Sequence, residues 1–144
     1  IIGDGERFEQ YKLLAKSKNI KFLGWVSEKD KISVFSKARA LIYPAFEDFG
    51  IVPIEAQACG TPVIAYGKGG LRDTVVSKGA NKTGIFFNSQ TIEAIKKAIL
   101  NFERKESEFL SIHCKQNAKR FDHKYFKEAI KTFVLNKTIS KHIK

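Results

Sequence analysis

The sequence predicts an α/β fold, a doubly wound parallel sheet followed by C-terminal helices. Short apolar runs alternate with segments whose apolar residues recur at helical spacing, which is the order of a parallel sheet with crossover helices. Each run is apolar at consecutive positions, as expected for strands covered on both faces. After the last run the chain shows only helical patterns. Its 144 residues are close to the usual size of one domain.

The first part of the chain has two helical patterns, each preceded by a strand pattern. The predicted elements are a strand end at 1–2, a helix over 6–17, a strand at 20–24, and a helix from Ser27 or Asp30 to about Lys37. A domain rarely begins at the end of a strand, because that strand would lack a ladder partner. We therefore expect the natural protein to extend upstream.

The centre of the chain has the order strand, loop, helix, strand. The predicted elements are a strand over 39–44, a helix from about Ile51 to Gly60, and a strand over 61–65. Pro44 closes the first strand, because proline cannot donate a hydrogen bond to a sheet. Pro53 supports a helix start near Ile51, since proline is tolerated in the first turn and not further in.

The remaining elements end the sheet and begin a helical region. They are a glycine-rich loop at 66–70, a short helix over 71–76, a strand over 84–87, a helix capped by Asn88 or Ser89, and helices over 109–121 and 123–135. We divide the chain into a ligand-binding domain, residues 1–121, and a C-terminal helix with a basic tail, residues 122–144.

Composition indicates a globular chain with an excess of positive charge. The net charge is +11, and the stretch from Lys115 to Lys144 holds nine basic and two acidic residues. Such a surface favours anionic partners, or is simply a solvated face. No apolar run approaches the roughly 20 residues of a membrane span. Cys59 and Cys114 match no metal spacing, and we expect reduced thiols in a cytoplasmic protein.

Two carboxylates flank the start of the central helix, Glu47 in the preceding loop and Glu55 about one turn into the helix. The N–H groups from Phe49 to Val52 have no intrahelical acceptor and, with the helix dipole, favour an anion. Gly50 would let a ligand approach the backbone closely. Carboxylates can accept hydrogen bonds from neighbouring hydroxyls, so a nucleotide sugar would suit both features. Alternatively, the carboxylates are an exposed loop acid and a residue that favours the helix dipole.

The stretch from Glu47 to Ala65 resembles the signature of the group 1 (family 4) retaining glycosyltransferases. The matching residues are Glu47-Asp48-Phe49-Gly50-Ile51-Val52-x-x-Glu55-Ala56-x-Ala58-x-Gly60-Thr61-Pro62-Val63-Ile64-Ala65, with Phe22-Leu23-Gly24-x-Val26 upstream and Gly69-Gly70 and Gly84-x-x-Phe87 downstream. The similarity extends from Ile1 to about Phe121.

This resemblance implies a GT-B enzyme, in which two Rossmann-like domains face each other across a cleft. The chain would be most of the C-terminal, donor-binding domain. No metal or other cofactor is expected, and no Asp-x-Asp motif is visible. The site residues carried over by position are Glu47 (catalytic, on the sugar hydroxyls), Phe49, Gly50, Ile51 and Val52 (amides on the sugar and diphosphate), Glu55 (on the ribose hydroxyls) and Val26 (against the base).

The residues around this signature look most like those of bacterial GDP-mannose-dependent mannosyltransferases of surface polysaccharide synthesis, including that of lipopolysaccharide. The resemblance therefore implies a saccharide or lipid-linked acceptor. The family's diphosphate-binding arginine and lysine would precede Ile1, so we expect the isolated chain to bind a nucleotide weakly and to transfer nothing. We expect a cytoplasmic protein, and the basic tail either contacts an anionic inner leaflet or is a solvated surface.

Two other functions are compatible with parts of this sequence. A nucleotide-sugar epimerase of GT-B architecture would need acid–base residues in the cleft, whereas all three histidines lie in the helical tail, at His113, His123 and His142.

A basic, non-enzymatic nucleic-acid-binding domain would show aromatic residues among the cations of a groove. Four aromatics do lie among lysines, but their spacing suits a packed helix face, so we expect no nucleic-acid partner. They are Phe121, Tyr125, Phe126 and Phe133.

Overall fold

The computed structural model describes residues 1–139, and its contacts divide the chain into two units, Ile1–Val34 and the chain from Phe35 onward. The first unit contains helix α1 (Phe8–Leu14) and most of helix α2 (Glu28–Lys37). Of the two predicted N-caps of α2, Ser27 and Asp30, Ser27 caps the helix. Its Oγ accepts a hydrogen bond of 3.2 Å from the N–H of Asp30.

The strand expected at residues 20–24 is reduced to one parallel bridge, between Ile2 and Gly24. Gly24 has a φ of 64°, which interrupts the extended conformation at that residue. The rings of Phe8 and Phe22 pack edge to face in this unit, with centroids 5.7 Å apart.

The second unit alternates strands with helices and then continues with helices. Its elements are β1 (Leu41–Tyr43), α3 (Ile51–Ala58), β2 (Val63–Tyr66), α4 (Leu71–Thr74), β3 (Gly84–Phe87), α5 (Ile92–Arg104), a 3₁₀ turn (Glu106–Glu108), α6 (Ser111–Lys119) and α7 (His123–Ile139). The three strands are parallel and lie in the order β1-β2-β3. The β3 bounds equal the predicted ones, and the other elements differ at their ends.

Both faces of the sheet are covered, because alternate residues of β2 belong to different apolar clusters. Ile64 and Tyr66 pack with Phe87 and with residues of α5, whereas Val63 and Ala65 pack on the other face. The members of this second cluster are Val63, Ala65, Leu71 and Val75, all buried, with Leu41, Tyr43 and Phe86 against them. A parallel sheet with helices on both faces is the predicted architecture.

The cap of α5 differs from the prediction. Thr91, rather than Asn88 or Ser89, begins the helix, because its extended backbone lets Oγ1 accept from the N–H of Ala94 at 3.2 Å. Ile92, the first residue of this helix, is 77% exposed.

Helix α7 also departs from the sequence interpretation. Tyr125, Phe126 and Phe133 are each more than half exposed, so the expectation that they pack in a core is wrong for them. Phe121, just before α7, is half-buried. Its ring packs edge to face on the ring of Phe49, with the ring centroids 5.8 Å apart. The last part of the predicted basic tail, 140–144 with His142, lies outside the described residues.

Candidate ligand-binding site

Three loops meet beyond the carboxyl ends of the strands. The loop after β1, residues 44–50, contacts the loops that follow β2 and β3. The N–H of Gly70 donates to the carbonyl oxygen of Glu47 at 2.9 Å, and Gln90 Nε2 donates to the carbonyl oxygen of Pro44 at 2.8 Å. Hydrogen bonds therefore join the loop after β1 to the loop after β2 and to the loop after β3.

Gly69 and Gly70 allow two backbones to pack against each other. A Cβ on Gly69 would lie 2.3 Å from the carbonyl oxygen of Glu47, and a Cβ on Gly70 would lie 2.1 Å from that of Asp48. No side chain fits at either distance. Gly69 and Gly70, which are part of the family resemblance described above, thus bring the two loops into contact.

Helix α3 begins at a glycine in the left-handed conformation, which by itself favours glycine at this position. The close approach of a ligand to Gly50 stays a prediction. Gly50 is the N-cap with φ 89° and ψ 61°, and it packs over the buried side chain of Leu71. Pro53 is the third helical residue, within the first turn. Within the described part of the chain, no backbone N–H of residues 49–52 donates to a protein acceptor. These amides are therefore available to an anion.

Glu47 is half-buried in the loop, and Tyr43 at the end of β1 donates to it. The Tyr43 hydroxyl lies 2.8 Å from Glu47 Oε1. Burial, and then the neighbouring Glu47 carboxylate, raise the pKa of Tyr43 to about 12. The sequence interpretation did not include Tyr43. The signal available to it was a tyrosine at the end of a strand, four positions before a glutamate.

Glu55 is half-buried on α3 and lines a cavity of about 520 Å³ between α3 and α6. Apolar side chains, including Phe49 and Ile51, form one part of the wall, and Lys115 and Lys119 stand at another. The two lysines are one helical turn apart on α6, so they share a face. That spacing is readable in the sequence, but the side of the sheet to which α6 returns is not.

A buried polar network holds α3 against α4 and α6. Gln57 donates to the carbonyl oxygens of Pro53 at 3.1 Å and of Thr74 at 3.0 Å. Asn117 on α6 donates to Gln57 Oε1 at 2.7 Å and to the same Thr74 oxygen at 2.8 Å. Because it binds a carbonyl in the first turn of α3, the network fixes the part of the helix that presents the unpaired amides.

Val26 is the one other predicted site residue. Val26 belongs to the first unit, and its approach to a nucleotide base stays a prediction. His113 and His123 lie on α6 and α7. Among the described residues, no group of three His, Cys, Asp or Glu side chains could hold a metal ion. Burial raises the pKa of the Cys114 thiol to about 11.

A comparison with protein families matches residues 1–121 to the family described as glycosyl transferases group 1. A GDP-mannose-dependent monoacylated alpha-(1-6)-phosphatidylinositol monomannoside mannosyltransferase of Corynebacterium glutamicum is 33% identical over 110 residues, 69% of this chain and 28% of that protein. The O-antigen chain mannosyltransferase B of Escherichia coli is 32% identical over 82 residues, 56% of this chain and 20% of that protein. The chain thus spans less than a third of either relative.

Two solved structures share the fold. Sucrose-phosphate synthase from Thermosynechococcus elongatus has a TM-score of 0.71 at 22% identity, over 98% of this chain and 38% of that one. Anabaena HepE, in complex with UDP and glucose, has a TM-score of 0.67 at 23% identity, over 94% of this chain and 39% of that one. These likenesses confirm the predicted α/β fold class of a GT-B domain, with its parallel sheet and C-terminal helices.

Proposed function

Because this chain belongs to the group 1 glycosyl transferases, we propose that it binds the nucleotide-sugar donor of a retaining glycosyltransferase at the start of α3. One observation carries the proposal. Four backbone amides without protein acceptors, at residues 49–52, stand between Glu47 and Glu55 in the sequence. Amides at a helix start favour a diphosphate, and carboxylates accept from sugar hydroxyls, so one ligand of this class satisfies both.

Each site residue is proposed to bind one part of the donor. The amides of Phe49 and Gly50 bind the sugar, and those of Ile51 and Val52 the diphosphate. Glu47 is the catalytic residue at the sugar, where the bond to the diphosphate breaks. Glu55 accepts hydrogen bonds from the ribose hydroxyls of the donor, and Val26 packs against its base.

We propose that no metal or other cofactor takes part. The amides and the dipole of α3 supply part of the positive potential that a diphosphate needs.

GDP-mannose is the proposed donor. Its support is the Corynebacterium glutamicum relative, whose name states GDP-mannose dependence and a mannosyltransferase activity. The Anabaena structure holds UDP and glucose on a similar fold, so the fold does not select the base.

The two relatives are named for a phosphatidylinositol mannoside and for O-antigen chain. For this chain we propose a surface-polysaccharide or lipid-linked acceptor, and we expect no transfer by these 144 residues alone.

Thermal stability with added ligand tests donor binding. The chain should be stabilised by GDP-mannose, with a shift that grows as RT ln(1 + [L]/Kd), and less by UDP-glucose or ADP-glucose. Glu55→Gln should remove most of the shift, since the ribose would lose a charged acceptor. Glu93→Gln is the matched control, because Glu93 is an exposed glutamate on α5. Equal shifts in both variants would contradict the role of Glu55 at the ribose, and no shift in the wild type would contradict donor binding.

We also propose that α7 contacts an anionic membrane surface from the cytoplasmic side. Phe126, Ile130 and Phe133 are exposed at helical spacing, and Lys127 and Lys131 flank them. Exposed apolar side chains beside lysines suit anionic headgroups over an apolar layer. Nucleic acid could pair with the lysines and stack on the aromatic rings, but it offers no apolar layer for Ile130, which a membrane does. No helix among residues 1–139 has the length and apolarity to cross a membrane.

Sedimentation with lipid vesicles tests this contact. The chain should bind vesicles that contain phosphatidylserine and not vesicles of phosphatidylcholine alone. Lys127→Glu with Lys131→Glu should abolish binding. Lys96→Glu with Lys97→Glu, an equal charge change on exposed residues of α5, should not. Equal losses in both double variants, or binding to oligonucleotides in place of vesicles, would contradict the proposal.

A further inference from the structure

We infer that Tyr43 is a positioning residue for Glu47. The hydroxyl of Tyr43 holds Oε1 of the carboxylate, at 2.8 Å, so that Oε2 is presented to the donor sugar. No hydrogen bond from the described residues reaches Oε2. The inference rests on the proposed function, and it adds a residue that lies outside the family signature quoted above.

Tyr43 is well placed to act as a fixed support. It is the last residue of β1, and its Cα is paired with that of Ala65 in the sheet. Its ring packs against the buried cluster that contains Val63, Leu71 and Val75. The core therefore sets the direction of the ring, and only the hydroxyl extends to the loop.

The loop backbone at Glu47 is held independently of Tyr43. Gly70 donates to the carbonyl oxygen of Glu47, and Gln90 donates to that of Pro44. With the backbone held, the main freedom left to Glu47 is rotation of its side chain. A hydrogen bond to one carboxylate oxygen removes that freedom before the ligand arrives, which lowers the entropy cost of binding.

Tyr43 must remain protonated in order to donate. Burial and the Glu47 carboxylate raise the pKa of Tyr43 to about 12. The hydroxyl is therefore a donor throughout the neutral range. Removing it leaves both Glu47 oxygens without the contact that orients them.

The test compares two ligands on Tyr43→Phe, which keeps the ring in the core. Calorimetry would measure Kd for GDP-mannose and for GDP. Glu47 is proposed to contact only the sugar, so Tyr43→Phe should weaken GDP-mannose about five- to tenfold and leave GDP unchanged. Tyr125→Phe, which removes an exposed hydroxyl on α7, should change neither value.

A double variant separates positioning from general support. If Tyr43 acts through Glu47, then Tyr43→Phe with Glu47→Gln should bind GDP-mannose no more weakly than Glu47→Gln alone. Equal weakening of GDP and GDP-mannose by Tyr43→Phe, or additive losses in the double variant, would overturn the inference and leave donor binding intact. Absence of binding by the wild type to both ligands would overturn donor binding and this inference with it.

Discussion

The backbone N–H of Gly70 donates a hydrogen bond of 2.9 Å to the carbonyl oxygen of Glu47. This bond joins the loop after β2 to the loop after β1. It also fixes the backbone of the residue that we propose as catalytic. The contact exists because Gly70 has no side chain, since a Cβ there would lie 2.1 Å from the carbonyl oxygen of Asp48.

Gly70→Ala is therefore expected to destabilise the protein. Gly70 has φ −63° and ψ −14°, which any residue adopts, so the cost arises from overlap with the facing backbone and not from strain at position 70 itself. We expect a loss of roughly 1–3 kcal/mol in the free energy of unfolding, measured in urea. Gly5→Ala is the control, because a Cβ on Gly5 meets nothing within 4 Å. Similar losses in the two variants would contradict the close approach.

Asn117→Ala should destabilise the protein through the buried network. Asn117 is 6% exposed, and its amide donates to Gln57 Oε1 and to the carbonyl oxygen of Thr74. The change leaves Gln57 Oε1 buried without its donor, so we expect a loss of about 2 kcal/mol in urea unfolding. Asn81→Ala, at an exposed loop position, should cost far less. An Asn117 variant as stable as the Asn81 variant would show that the network contributes little.

Alkaline pH should destabilise the protein through Tyr43. The unfolded chain ionises this residue near pH 10.0, whereas the folded chain keeps its proton until about pH 12. Between these values the folded state binds more protons, so the free energy of unfolding falls as pH rises. The contribution is fully present below pH 10.0 and is lost by about pH 12.

Tyr43→Phe should remove that component of the alkaline dependence. The measurement is urea unfolding of both proteins across this pH range, with absorbance titration of the tyrosines as a second readout. The variant should lack the tyrosine whose pKa is raised to about 12. The Tyr43 assignment would be wrong if the two proteins had the same pH dependence.

Sequence patterns predicted the parts of the fold that depend on local chemistry. The start of α3 was predictable because Pro53 is tolerated only in the first turn of a helix. The cap of α5 was not, since Asn88, Ser89 and Thr91 can all cap a helix and lie within four positions. Only the backbone conformation selects one of them.

Long-range contacts could not be read from the sequence. Gln57 and Asn117 lie 60 positions apart, and their hydrogen bond depends on how α6 returns to α3. For the exposed aromatic residues of α7, the sequence predicted a packing contact that the structure does not contain. Helical spacing indicated a packed face, but it could not establish whether another element covers that face.

Nuclear magnetic resonance tests the central claim most directly, that the start of α3 binds the donor. In the chain labelled with nitrogen-15, added GDP-mannose should shift the amide signals of Phe49, Gly50, Ile51 and Val52 most strongly. Amides on the exposed side of α5 should stay unchanged. Unchanged signals at residues 49–52 with saturating ligand, or shifts confined to other elements, would contradict the proposed site.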